Sequence, residues 1–234
     1  MIDVEIEAVL VGQIKPLGQR KVPSGIDKHP VAERIAFNEV GFLQDEQGDK
    51  RVHGGPEKAI HHYPFDHYEV WRERLADEEV MLSGQALQAP GFVGENISTR
   101  GVVEVDVCLG DIFQLGTGRV QISQGRQPCW KLNERFGVNT MARLVQSSGF
   151  TGWYYRVLEG GVVGPGDQLK LVERLAPEWP LSKVTQLLYV KTGDLSALES
   201  LVKLPFLAES WRGLMERRLA RGQVEDWTSR LEGQ

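Results

Sequence analysis

An α+β fold, mainly β-strand with inserted helices and ending in a small helical region, is what this 234-residue sequence predicts. Two observations carry that expectation. Up to about residue 175 the chain is a series of short apolar segments split by glycine-rich punctuation such as Gly116-Thr117-Gly118, Gly160-Gly161 and Gly164-Pro165-Gly166. Strands at that density close, or nearly close, into an antiparallel barrel. After Pro177-Glu178-Trp179-Pro180 the pattern stops and helically spaced apolar residues take over. The predicted division is therefore a β-barrel domain with helical insertions over residues 1–176 and a C-terminal three-helix domain over residues 177–234.

Taken in order, the predicted strands are residues 4–14, 31–40, 59–63, 93–97, 105–109, 112–115, 120–123, 153–158 and 168–172. Phe65, Tyr68, Trp71 or Arg72, and Leu75 follow Pro64 at helical spacing, and Asn139 is placed to cap a helix carrying Met141, Leu144 and Val145. These helices interrupt the strands instead of alternating with them, as covers over a barrel mouth. The last three helices are expected over residues 181–191, 195–204 and 207–221, with Asp194 capping the second.

Composition excludes several classes. At 41% hydrophobic and 25% charged residues the chain is ordinary globular material, which rules out disorder. No apolar run approaches the roughly 20 residues of a membrane span. The acid-apolar alternation Ile2-Asp3-Val4-Glu5-Ile6-Glu7 is not an export signal, so a cytoplasmic protein without membrane partners is expected. A net charge of -5 disfavours nucleic-acid polymers. Arg212, Arg217, Arg218 and Arg221 make the last helix locally basic, but from Pro177 onward eight basic residues face eight acidic ones, which favours packing or docking over DNA binding.

Cys108 and Cys129 are expected as free thiols, since the chain is large enough to need no disulfide. Cys129 lies in Gln121-Ile122-Ser123-Gln124-Gly125-Arg126-Gln127-Pro128-Cys129-Trp130-Lys131-Leu132-Asn133, where a strand ends and Pro128 is expected to open a helix with Cys129 in its first turn. That position, with Arg126 and Lys131 nearby, is expected to favour the thiolate, which suits a nucleophile or a metal ligand. Cys108, in a predicted strand without basic neighbours, reads as structural.

Two other clusters stand out. His53, His61, His62 and His67 crowd together near Lys50, Arg51, Gly54-Gly55 and Lys58. Zinc spacing is absent, and neighbours on a strand point to opposite faces, so only one of His61 and His62 can face a shared pocket. Lys50, Arg51, His53 and the two glycines fit an anion site or a solvated turn. In Gly94-Glu95-Asn96 a glycine and two polar residues interrupt an apolar strand, either as part of a site or as a structural turn. The residues alone leave Cys129 open between nucleophile, with His53 or His62 as base, and ligand.

Together these segments resemble the MOSC domain family. The resemblance runs through Gln44-Asp45-Glu46-Gln47-Gly48-Asp49-Lys50-Arg51-Val52-His53-Gly54-Gly55-Pro56, Lys58-Ala59, Tyr63-Pro64, Gly94-Glu95-Asn96, Gly110-Asp111 and Ser123 to Asn133. From Thr151-Gly152-Trp153-Tyr154-Tyr155 to the tail the chain resembles the bacterial hydroxylaminopurine resistance branch. The resemblance implies a MOSC-type β-barrel with a small C-terminal helical domain, and a molybdenum cofactor (molybdopterin) whose metal is ligated by Cys129. It also implies reduction of N-hydroxylated bases and related compounds to amines, as detoxification. Non-catalytic carriage of the cofactor is the alternative. By position, Lys50, Arg51, His53, Arg126 and Lys131 would contact the cofactor, with Gly94, Glu95, Asn96 and Asn133 shaping its pocket. Electrons would come from a separate reductase, and a homodimer is compatible with the resemblance. Gly125 departs from the family, which has proline there, and is expected to loosen the approach to Arg126.

Overall fold

A computed structural model describes residues 2–49, 53–76 and 87–233. The strands are β1 Asp3–Gly12, β2 Lys15–Leu17, β3 Val22–Ser24, β4 Lys28–Pro30, β5 Ile35–Asn38, β6 Gly41–Phe42, β7 Ile60–His62, β8 Ile97–Thr99, β9 Ile112–Leu115, β10 Gly118–Gly125, β11 Trp153–Glu159, β12 Gly161–Val163 and β13 Gln168–Glu173. Seven of them close a barrel in the order β1-β13-β9-β10-β11-β7-β8 and back to β1. Neighbours are antiparallel except β7 and β8, which meet in parallel at His62 and Ile97.

Strand β1 makes the closure. Its start pairs with β13, its middle with β8 and its end, Leu10 to Gly12, with β4. A register shift between Ile6 and Ala8 bends it on the way, as an extra residue in one strand does. Inward-facing Ile6, Val9, Ile60, Ile97, Phe113, Val120, Ile122, Trp153, Tyr155 and Leu169 fill the barrel.

The helices are α1 Asp66–Arg74, α2 Lys131–Phe136, α3 Met141–Ser148, α4 Leu181–Tyr189, α5 Leu195–Leu201, α6 Glu209–Arg221 and α7 Thr228–Glu232. Helices α1 to α3 form a second core with Tyr63, Tyr68, Trp71, Leu132, Phe136 and Met141. The C-terminal helices do not stand apart: Leu181, Val184, Leu188, Leu198, Trp211 and Met215 belong to the same apolar cluster as the barrel. No described helix is long and apolar enough to cross a membrane.

Several local expectations need correction: Asn139 does not cap α3, which follows Thr140, and within residues 31–40 only Ile35–Asn38 is a strand. Residues 105–109 are not a strand; Cys108 makes only an isolated bridge with Pro180. The Asp106 and Asp111 carboxylates accept from Val103 N and Cys108 N, each at 2.9 Å, and these side-chain bonds replace a ladder with turns. In the predicted strand 93–97, Gly94 adopts φ 88°, and regular pairing starts only at Ile97. Gly125 does not loosen the chain. It is the last residue of β10, paired with Trp153, and a Cβ there would stand 3.2 Å from the Trp211 ring of α6. Asp194 caps α5 as expected, accepting from Ala197 N at 3.0 Å.

His62 lies in the barrel interior, 3.0 Å from the Tyr155 hydroxyl and 2.9 Å from that of Thr99. Burial lowers it from 6.5 to about 3. Between those values the unfolded chain binds a proton at this position that the folded chain refuses, so stability falls as pH falls. The slope approaches about 1.4 kcal/mol per pH unit for one such group. Thermal unfolding followed from pH 7 to pH 4 is expected to show a falling Tm below about pH 6.5, with a shallower slope in His62→Gln. An equally steep slope in that variant would contradict the assignment.

Candidate active site

The segment after β10 brings the sulfur out of the barrel. Arg126 N donates to Gly152 O at 3.1 Å, after which Gln127 to Cys129 run without regular structure and α2 begins at Lys131. Cys129 therefore precedes the helix instead of occupying its first turn, and Pro128 does not open it. The helix is tied back to this position, with Leu132 N donating to Cys129 O at 2.9 Å.

Cys129 is half-buried in an open polar cleft. One wall is the connection from β3 to β4, Ser24 to Ile26, with Lys28; a second is residues 45–48. His61 of β7, Gly94, Asn96, Arg126, Lys58, Lys131, His53 and Tyr154 complete it. The cleft continues outward past Val22, Pro23, Gln127, Trp130, Ser229 and Arg230.

Each wall has a mechanical reason. Asn96 accepts from His61 N at 3.1 Å and donates to Leu10 O and Asp45 Oδ2, joining β7, β1 and the 45–48 segment. Lys28 is paired with Asp45, which also accepts from Gly12 N at 2.7 Å, so this ion pair is fastened to the end of β1. Gly94 must be small, since a Cβ there would lie 2.7 Å from Ile26, and its positive φ suits only glycine.

The electrostatics around the sulfur are cationic. Arg126 donates to Val93 O at 2.7 Å, and Lys131 lies 3.5 Å from Pro23 O. Their charge is thus held by carbonyl oxygens. His53 Nε2 stands 3.5 Å from Cys129 Sγ. Burial, with Lys131, Arg126 and Lys58 adding repulsion, lowers His53 to about 4, so its ring is neutral near pH 7. Burial also lowers Lys58, against an opposing pull from Cys129, and raises Tyr154.

Of the sequence-predicted site residues, the structure brings together Cys129, His53, Gly94, Asn96, Arg126 and Lys131. Lys50 and Arg51 lie outside the described residues. Glu95 and Asn133 do not line the cleft. Glu95 is fully buried behind it, accepting from Gly91 N at 2.6 Å and from the Tyr68 hydroxyl, which fastens the loop before β8 to α1. Asn133 Nδ2 donates to Leu231 O and its Oδ1 accepts from Ala142 N, which joins α2 to α7 and α3. His61 and His62 do part to opposite faces, His61 to the cleft and His62 to the core.

Sequence reasoning missed Lys28, whose pairing with Asp45 is tertiary, and Ser229 and Arg230, which lie in a short helix with no periodicity to announce it. Cys108 is buried outside the cleft, and burial with the nearby Asp111 pushes its thiol up to about 11. Among the described residues no group of three or more His, Cys, Asp or Glu side chains is placed to hold a metal ion.

Comparison with known proteins agrees with this architecture. Residues 49–170 match the MOSC domain family, and residues 179–222 match the YiiM-like, 3-alpha helix domain. The chain is 36% identical to Protein YiiM of Escherichia coli (strain K12) over 225 residues, 96% of this chain and 97% of that one. It is 33% identical to a protein of Gibberella moniliformis (strain M3125 / FGSC 7600) named Reductase, over 79% of this chain and 32% of the fungal protein. The crystal structure of YiiM from Geobacillus stearothermophilus shares the fold with a TM-score of 0.75 at 34% identity, covering 92% of this chain and 98% of that one. A matching barrel, a matching helical domain and a relative aligned almost end to end place this chain in the MOSC domain family.

Proposed function

We propose that this chain is a molybdenum cofactor-dependent reductase that converts N-hydroxylated bases and related N-hydroxylated compounds to amines. The observation that carries the reading is the donor set at Cys129: one sulfur facing a cleft, with Lys58, Arg126 and Lys131 around it and no multidentate metal cluster among the described residues. A bare metal ion held by protein alone commonly takes three or four side chains. A metal that arrives in an anionic organic ligand needs one soft donor and a cationic bed, and the cleft has both. Family membership and the name of the fungal relative support the same direction.

When bound, the cofactor would supply two-electron, oxygen-accepting chemistry at the metal, with electrons from a separate reductase. Cys129 Sγ would hold the metal, and Arg126 and Lys131, with Lys50 and Arg51 as sequence candidates, would hold the anionic part. Gly94 and Asn96 would shape the pocket. Neutral His53, with its hydrogen on Nε2, would donate to the thiolate without adding a fourth positive charge. Conversion of an N-hydroxyl group to an amine and water consumes two electrons and two protons. Burial makes the Lys58 ammonium more acidic than a surface lysine, and it faces the cleft, so Lys58 is the group assigned to hold a transferable proton.

The contact between Cys129 and His53 favours one second reading, a metal-free thiol enzyme. Against it, His53 Nδ1 has no hydrogen-bond partner among the described residues, and the repulsion of Lys131, Arg126 and Lys58 outweighs the attraction of Asp49 for the imidazolium such an enzyme must form. A cofactor carrier would share the cleft and differ only in lacking turnover.

Expression where the cofactor is made, followed by molybdenum and pterin analysis and an assay with an artificial electron donor, tests the reading. Wild type is expected to hold metal and reduce an N-hydroxylated base, while Cys129→Ala loses both without losing its fold. Activity in metal-free protein would exclude the proposal, and stoichiometric cofactor with no turnover by any donor would make the chain a carrier. Lys58→Ala is expected to keep its molybdenum and lose on the order of 100-fold in kcat, the scale of one general acid. Loss of metal in parallel would make Lys58 a binding residue instead.

A further inference from the structure

Cys129 sits in irregular backbone between a strand and a helix of six residues, so its position is set by what grips that loop from outside. The grip comes from the end of the chain. Trp130 N donates to Arg230 O at 2.8 Å, and Asn133 Nδ2 to Leu231 O at 2.8 Å. In the other direction Arg230 Nη1 donates to the carbonyl of Pro128, the peptide group that leads into Cys129. Arg230 Nη2 donates to Gln146 Oε1 of α3 at 2.6 Å, and the guanidinium lies 5.6 Å from the centre of the Tyr189 ring of α4. Leu231 beside it is fully buried. A helix as short as α7 does not hold itself, so these contacts fix α7 and the cysteine loop mutually.

We propose that Arg230 is a positioning residue for Cys129, holding the Pro128 to Trp130 loop from a helix that also walls the outer cleft. It acts through the Pro128 carbonyl, and Gln146 and Tyr189 brace it against the barrel insertion and the C-terminal helices. A charge-assisted bond to a carbonyl, anchored at its other end, restrains the loop more than a neutral contact does. The consequence for cofactor retention rests on the functional reading above. The consequence for the sulfur does not.

The test uses the full-length, metal-free chain as wild type, Arg230→Ala, Arg230→Lys and Arg143→Ala. Arg143 pairs with Glu232 of the same α7, so its loss weakens the docking of the helix without removing a bond to the cysteine loop. Each protein is alkylated with N-ethylmaleimide at one pH and temperature, and Cys129 and Cys108 are followed separately by mass spectrometry. Arg230→Ala is expected to speed labelling of Cys129 about tenfold, the scale of one lost hydrogen bond to a charged group. Arg230→Lys should recover part of the difference, Arg143→Ala should stay near wild type, and Cys108 should remain unlabelled. In cells that make the cofactor, Arg230→Ala should retain less molybdenum per chain. An unchanged Cys129 rate in Arg230→Ala would overturn the proposal, as would an equal rise at Cys108 or an equal effect of Arg143→Ala. Wild-type protein without molybdenum would overturn the functional reading and leave the labelling result to decide this one.

Discussion

The closure of the barrel through β1 is the constraint from which the site follows. One strand of ten residues pairs in turn with β13, β8 and β4, so its far end is held where the cleft begins. Asp45 accepts from Gly12 at that end and pairs with Lys28 of β4, while Asn96 reaches Leu10. These bonds fasten Lys28, Asp45 and Asn96, which line the polar pocket, to the end of a strand. A buried ion pair is stabilising only when its geometry is held, and here the barrel holds it.

The cysteine loop depends on a different kind of support. Nothing in its own backbone is regular, and α2 and α7 are each too short to persist alone. Arg126 ties its start to Val93, and α7 ties its end. The sulfur is thus positioned by residues distant in sequence, which is how a reactive group is kept on irregular backbone without being left loose.

What was legible in the sequence follows from this division. Strands with local alternation, such as β9, β10, β11 and β13, and helices with a continuous apolar face, such as α4 and α6, were visible because their signal is local. Residues 105–109 misled because apolar content alone does not count the side-chain carboxylates that capture backbone amides. The short hairpin β2–β3 and α7 were not foreseen at all. At the site, Cys129, Arg126 and Lys131 were visible as neighbours, His53 through its crowded basic segment and Asn96 as a polar break in an apolar strand, and the resemblance joined them into one pocket. Glu95 and Asn133 have the composition of site residues and serve as fasteners, and only the fold tells the two uses apart. Lys28 and Arg230 were invisible because each gains its meaning from a partner far away in the chain.

The Trp211 ring resting over Gly125 gives the barrel and the helical region a shared volume. Cores conserve space more strictly than identity. A glycine at this position is therefore one half of an exchange, the other half being an indole eighty-six positions later. Divergence at the approach to the cysteine and divergence in the last long helix are then a single coupled variable. A graft of helical regions between relatives has to carry residue 125 along with residue 211.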